Sequence, residues 1–388
     1  MNMKEILYKY KHNLNQLAEL GWQEQQTTTY IQKALKTKPL KRGFGKSKTG
    51  LLYQLGKGQQ KILLRADIDA LQTKTGPRHI CGHSSHTAAL MLAFQQAAKQ
   101  EKQYSQQGKA VYFLFQPAEE TFPSGAQAVM DEFFNQQPLP KYAFSCHVRP
   151  KLPLGQIQIG SQIMARGDYA EVEFFGQQVH VKQAAENPDV LEAAAKLILQ
   201  CRSFQKQNRR RLRLNFGVIK GGQQANTVAE YCLLKGDIRL KNDKLQDVVK
   251  QFLQKTLKKI EQQTKIKSQL HYFSGYPSLV NHPQLAKKMQ QYFAKNPDFK
   301  LSKQPEFSFG CEDFSFFSAK VPSVYALIGT GDKHEIHEPN CRISDQGTWC
   351  IFQYFQGLLD WWKFDQLVNY DRNNMNSKRH MGKIISSV

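Results

Sequence analysis

Leu64-Arg65-Ala66-Asp67-Ile68-Asp69-Ala70-Leu71 and His79-Ile80-Cys81-Gly82-His83-Ser84-Ser85-His86-Thr87 are the stretches on which the fold of this chain turns. The first leaves an apolar, strand-like run, Lys61–Ala66, on two carboxylates one residue apart. The second is rich in histidine and leads into a helix expected from Thr87 to about Gln100. A strand, a polar loop and a helix in that order form the first half of a β-α-β unit.

The alternation continues on both sides. Apolar residues at helical spacing (Ile6, Leu7, Tyr10, Leu14, Leu17) predict an amphipathic helix over Met3–Leu20, and Gly50–Leu55 reads as a strand. After the polar stretch Gln100–Gly108 come a buried-type strand at Ala110–Phe115, a helix at Ser124–Phe134 and a strand at Tyr142–Cys146. Strands alternating with helices imply an α/β fold with a mainly parallel sheet. The pattern changes near Arg166. Strands at Asp168–Phe175, Leu212–Ile219, Thr227–Arg239 and Lys267–Tyr272 enclose helices at Asp189–Gln205 and Leu245–Thr264, a βαββαβ order. That is the size of an inserted α+β domain, taken as residues 166–275. Residues 1–165 and 276–388 form the larger, discontinuous domain, with a helix near His282–Ala294, a strand at Ser323–Ile328, a closing helix from Gln346 and a polar tail from about residue 369.

At 388 residues with 40% hydrophobic content the chain has room for two cores. The polar start, Met1 to Leu20, does not read as a secretory signal, and no apolar run approaches the roughly 20 residues that span a bilayer. A cytoplasmic protein is expected. The seven cysteines, odd in number and widely spaced, are expected to be reduced thiols. A net charge of +22 would attract polyanions, but the basic residues are dispersed, with Arg209, Arg210 and Arg211 the one tight triplet. No nucleic-acid-binding motif accompanies them, so nucleic acid is not the expected ligand.

Chemistry concentrates at expected strand ends, where α/β sheets bind ligands. Cys81 and His83, with His79 and His86 close by, supply thiolate and imidazole, first-choice ligands for divalent transition metals. Asp67 or Asp69 can orient a ligand histidine. Glu119 and Glu120 follow the Ala110–Phe115 strand, so one can ligate metal while its neighbour takes a proton from water. His147 follows Tyr142–Cys146, and His337 follows Ser323–Ile328. These would bring imidazoles from separate loops to the sheet's carboxyl edge.

Arg65–Leu71, His79–Thr87, Phe115–Glu120, His147-Val148, Gly310–Phe314 and Ile336-His337 together resemble, in order, the motifs of the M20 metallopeptidase family. The branch most similar holds N-acyl-amino-acid amidohydrolases, hippurate hydrolases, N-acetyldiaminopimelate deacetylases and auxin-conjugate hydrolases. The resemblance implies a zinc-peptidase-like catalytic domain with an inserted, ferredoxin-like lid through which two subunits dimerise. It implies Cys81, His83, Glu120, His147 and His337 as ligands of two divalent transition-metal ions (manganese, zinc, nickel or cobalt). Glu119 would be the general base and then the general acid. On the lid, His180 would polarise the substrate carbonyl, reaching a neighbouring subunit's site, while Asn226 and Arg239 would bind a substrate carboxylate. Asp67, Asp69 and Glu312 would stand behind the ligands. The implied substrate is an N-acyl amino acid or similar small amide.

The sequence departs from the family pattern in places. Ser84 stands where the family usually has Asp, a change of a kind that can cost about 10- to 100-fold in metal affinity or activity. Gln177, Gln178 and Val179 replace glycines before His180, with Val181 and Lys182 after it. Thr121–Gly125 and Glu338–Arg342 also diverge. Peptidase or carbamoyl-hydrolase activity, a weakly active or non-catalytic metabolite binder, and an anion-binding role remain open as alternatives at this point.

Overall fold

Ile62, Leu63, Leu64 and Ala66 are apolar on both faces of one strand, which therefore needs cover on both sides. In a computed structural model, which describes residues 1–302 and 307–365, that strand (Gln60–Asp67) lies inside an eight-stranded sheet. Across the sheet the order is Lys41–Phe44, Thr49–Leu55, Lys109–Gln116, Gln60–Asp67, Tyr142–Arg149, Ser323–Gly329, Gln156–Gln158 and Lys300–Leu301. The middle four are parallel, and antiparallel strands flank them on either side. This is the mainly parallel α/β sheet that the alternation predicts.

The helices Met3–Gln16, His83–Ala98, Pro283–Phe293 and Asp345–Phe364 cover one face, built on Leu7, Leu14, Leu90, Phe94, Met289 and Phe355. The other face is closed by Val129, Phe134, Phe314 and Phe317. A second sheet, ordered Leu212–Gly221, Tyr231–Leu240, Arg166–Phe175, Lys267–Tyr276, is antiparallel throughout and has its own apolar core. The helices Val190–Gln207 and Leu245–Thr264 pack on it, with Phe204 and Phe252 stacked at 3.9 Å between ring centroids. The chain enters and leaves this sheet through Gln162–Met164 and Leu279–Val280, which pair with each other.

Several expectations need correction. The His83–Ala98 helix starts four residues before Thr87, so His83 and His86 occupy its first turn while His79 stays in the loop ahead of it. The expected strand Thr227–Arg239 is broken into Thr227–Val228 and Tyr231–Leu240. His147 lies within its strand rather than after it. Ser124–Phe134 is helical but widens into a π turn from Met130. Gln25–Leu35, whose polar composition hides its period, is a helix that the sequence did not announce, and Glu101–Gln106 adds a short one. The tail expected from about residue 369 lies outside the described residues.

The closing helix ends against a buried cation. Lys109 Nζ donates to the carbonyls of Trp362, Lys363 and Asp365 at 2.7, 3.0 and 3.1 Å, neutralising the negative end of the helix. Lys109→Met keeps the stem and strands those carbonyls, so a loss of about 2 kcal/mol in stability is expected. An unchanged urea midpoint would contradict this account.

Candidate metal centre

Three neighbouring strands end on polar side chains, and Arg65 lies beneath them. It is fully buried, so its charge must be met by protein groups. Its guanidinium donates to Gln116 Oε1 (2.9 Å), Asp67 Oδ2 (2.8 Å) and Asp313 Oδ1 (2.7 Å), and it pairs with Glu312 Oε1 at 2.9 Å. Tyr325 donates to Glu312 Oε2 at 2.6 Å, and Gln116 donates to Asp313 Oδ2 at 2.7 Å. Burial alone would raise the Asp67 pKa, but His83, Arg65 and His86 around it hold it well below the usual carboxylate range. Asp67 Oδ1 accepts the Nδ1 proton of His86 at 2.7 Å, and His86 Nε2 accepts from the Val148 N–H at 3.1 Å. Both His86 nitrogens are thus used inside the protein. Although His86 lies close to His83 and His147, it does not offer a free lone pair.

The Cys81-Gly82-His83 turn lies above this layer. Gly82 has φ +97°, and a Cβ there would sit 2.5 Å from Val148 Cγ2, so glycine is required both for the turn and for the close approach. His83 Nδ1 donates to Asp69 at 3.1 Å, which leaves Nε2 as the lone-pair nitrogen. That Nε2 is buried and has no hydrogen-bond partner. Ligand atoms of Cys81, His83 and Glu120 all lie within 4.8 Å of one another. His337 Nε2 approaches Glu120 Oε1 to 3.4 Å from the solvent side, its backbone left-handed at φ +69° and its N–H bonded to the Ile80 carbonyl at 2.9 Å. His147 Nδ1 donates to the Val148 carbonyl at 2.9 Å, freeing its Nε2.

The electrostatics ask for a cation. Burial opposes charge on His83, yet Asp67, Cys81 and Asp69 drive its pKa well above the ordinary value, so a metal taking the Nε2 lone pair displaces a proton there. Burial also pushes the Cys81 thiol up, so a metal binding here must displace its proton. A buried, unpartnered imidazole nitrogen beside a thiol and a carboxylate fits a divalent transition metal. Next to these ligands, Glu119 groups with Glu312 and Asp313 within 4.8 Å. Burial first, then the charges of Glu312, Glu120 and Asp313, raise the Glu119 pKa well above that of a free carboxyl. A carboxylate with that proton affinity, 4.0 Å from His83 Nε2, is suited to receive and return a proton.

The sequence model of peptidase family M20/M25/M40 matches residues 63–360, which include all of these groups but the first helices. The chain belongs to that family. It is accordingly a metal-dependent hydrolase of amide or peptide bonds. An uncharacterized hydrolase of Staphylococcus aureus (strain N315) is 28% identical over 385 residues, covering 94% of this chain and 100% of that one. Among solved structures, a protein of methicillin-resistant Staphylococcus aureus superposes with TM-score 0.82 at 20% identity, covering 92% of this chain and 96% of that one. YXEP of Bacillus subtilis, a dinuclear metal binding peptidase of the M20 family, does so with TM-score 0.77 at 23% identity, covering 92% and 97%. These likenesses bear out the fold.

Within this M20 fold His180, Asn226 and Arg239 belong to none of the groups of side chains that could hold a metal among the described residues. His180 and Asn226 meet on the second sheet's side, where His180 pairs with Thr227 and the Val181 N–H bonds to the Asn226 carbonyl at 2.9 Å. The His180 side chain is exposed, its Nδ1 accepting the Lys182 N–H at 3.2 Å. Among the described residues no hydrogen bond or ion pair links it to the metal cluster. Arg239 is already engaged, donating to Asp237 at 2.6 and 2.8 Å. Asp69 orients His83 and Asp67 orients His86, as their positions before the helix suggest. Sequence reading missed the roles of Arg65, His86, Gln116 and Tyr276. An arginine in a strand otherwise apolar was the available signal for the first of these.

Arg65→Leu leaves three buried carboxylates short of their cation. A destabilisation of about 3–5 kcal/mol is expected, read as a lowered thermal midpoint. Retention of the wild-type midpoint would show that the network does not support the fold.

Proposed function

We propose that this M20 hydrolase is an amidohydrolase that removes the acyl group from an N-acyl amino acid or similar small amide. The observation that carries this reading is the buried, unpartnered Nε2 of His83, set between a thiol and a carboxylate, with the proton-binding Glu119 4.0 Å away. Cys81, His83, Glu120, His147 and His337 would hold two divalent ions, zinc, manganese, nickel or cobalt. When bound, such ions act as Lewis acids and bring the pKa of water towards neutrality. Glu119 takes the proton of the attacking water and delivers it to the departing nitrogen. Its backbone is held for this by Tyr276, whose hydroxyl donates to the Glu119 and Thr121 carbonyls at 3.2 and 2.7 Å.

The lid reading assigns residues 166–275 to a unit that pairs with a second subunit. Two features support it. The edge strand Leu212–Gly221 exposes Val218 and Ile219, and His180 is turned to solvent rather than to its own metal cluster. In a homodimer His180 would polarise the carbonyl in the partner's site, and Asn226 and Arg239 would meet the substrate carboxylate. Because Asp237 already matches the Arg239 charge, a peptide or carbamoyl amide with its carboxylate elsewhere is the second reading. Seven free cysteines fit a reducing, cytoplasmic setting, and among the described residues no helix is long and apolar enough to cross a membrane.

The test is amine release from N-acetyl, N-benzoyl and N-succinyl amino acids, dipeptides and N-carbamoyl amino acids, with each metal in turn. Turnover confined to dipeptides or carbamoyl compounds would overturn the N-acyl reading in favour of the second. Glu119→Gln should abolish turnover while the protein keeps its full metal content. Activity should fall as pH drops through the raised pKa of Glu119, since only the ionised carboxyl accepts the proton. Glu312→Gln removes a neighbouring negative charge, so the acid limb of kcat/KM should move to lower pH, by roughly half to one unit. A limb moving upward would contradict the assignment of Glu119.

A further inference from the structure

The Gln25–Leu35 helix begins at a carboxylate that does not cap it. Glu24 stands at its N-cap but makes no side-chain capping bond. Glu19 does that work, its carboxylate accepting from the Gln26 and Thr27 N–H groups at 3.2 and 2.8 Å. Glu24 is fully buried and reaches in another direction, where its Oε1 accepts the Ala118 N–H at 2.7 Å while Oε2 has no partner. A buried carboxylate that turns away from the helix start to the amide of a distant loop calls for an explanation.

Ala118 supplies one. It is a non-glycine residue held left-handed at φ +51°, and it immediately precedes Glu119. Its carbonyl accepts the Gly125 N–H at 2.9 Å. On the other side of Glu119, the Glu120 N–H ends on Asp69 Oδ2 at 2.9 Å. The Pro117–Ala118 peptide, one residue ahead of Glu119, and the Glu119–Glu120 peptide are thus each tied to a buried carboxylate, Glu24 in the first case and Asp69 in the second. The neighbouring strap packs on the same loop, with Trp22 Nε1 donating to the Pro123 carbonyl at 2.9 Å and Gly21 set against Ala118 and Thr121.

We propose that Glu24 is a positioning residue for the reaction: by holding the Ala118 N–H it fixes the left-handed turn that aims the Glu119 carboxyl at the ligand cluster. This rests on the reading of Glu119 as the base. The contribution lies in reach and hydrogen-bond acceptance, not in charge. The amide oxygen of glutamine can do the same work, whereas aspartate, one methylene shorter, cannot.

The experiment compares Glu24→Ala, Glu24→Asp and Glu24→Gln with the wild type, all metal-reconstituted, with metal content and kcat and KM measured for each. Glu24→Ala and Glu24→Asp are expected to lose about 10- to 100-fold in kcat with KM and metal content nearly unchanged, because a misaimed base costs rate more than binding. Glu24→Gln is expected to stay within about threefold of wild type. If Glu24→Ala does not fold, the Asp and Gln pair still decides. Aspartate equal to or better than glutamine would overturn the proposal, as would wild-type kcat in Glu24→Ala or an effect on KM alone. Glu119→Gln runs alongside. If that variant is active, the reading of the base fails; if it is inactive while the Glu24 variants keep full activity, only the positioning role fails.

Discussion

One guanidinium organises the site. Arg65 lies fully buried on the central strand, where its charge can persist only among fixed acceptors. Asp67, Glu312, Asp313 and Gln116 gather around it from three separate parts of the chain. The consequences run upward. Asp67, held ionised, fixes His86, and His86 fixes the Val148 amide beside His147. Asp313 also takes the Ala126 N–H at 3.0 Å and so anchors the far end of the loop that carries Glu119 and Glu120. The candidate ligands are placed by a charge that none of them touches.

The layer above is built on the opposite imbalance. Below, one cation serves several carboxylates; above, thiol, carboxylates and imidazoles crowd together with a buried nitrogen left over. Such a group can be neutral only by taking up protons or a metal. Ser84 fits this picture locally. It is buried at the start of the helix that carries His83, and a carboxylate there would add negative charge to a cluster already provided with Asp67 and Asp69.

Much of this was legible because period and chemistry agreed. Ile62–Ala66 and Ala110–Phe115 read as strands for the same reason that they are buried on both faces, and the βαββαβ order came through since each element was long. The candidate ligands stood out in the sequence as clusters near expected strand ends, although His147 lies within its strand. What stayed hidden was pairing at a distance. Nothing in the neighbourhood of Arg65 points to Asp313, and nothing around Glu24, in a polar helix start, points to Ala118. The helix boundary at His83 was missed because Gly82 in a left-handed conformation starts the helix where a residue with a capping side chain was the ordinary expectation. Arg239 was read as a partner for a substrate carboxylate, and its bidentate bond to Asp237 two residues away on the same strand is a local pairing that the alternation of side chains permits.

His337 reaches the cluster on an exposed, left-handed residue whose amide is pinned to the carbonyl just before Cys81. The first and last candidate ligands are therefore joined by a single backbone bond, although most of the chain separates them in sequence. During synthesis a ribosome would release the cysteine turn long before that histidine emerges. The nascent chain can gather thiol, imidazole and carboxylate early, but it can finish the site only after the inserted sheet has been made and the chain has returned to the main one. Completion of the centre is thereby a late event in biogenesis, and it reports that the whole fold is in place.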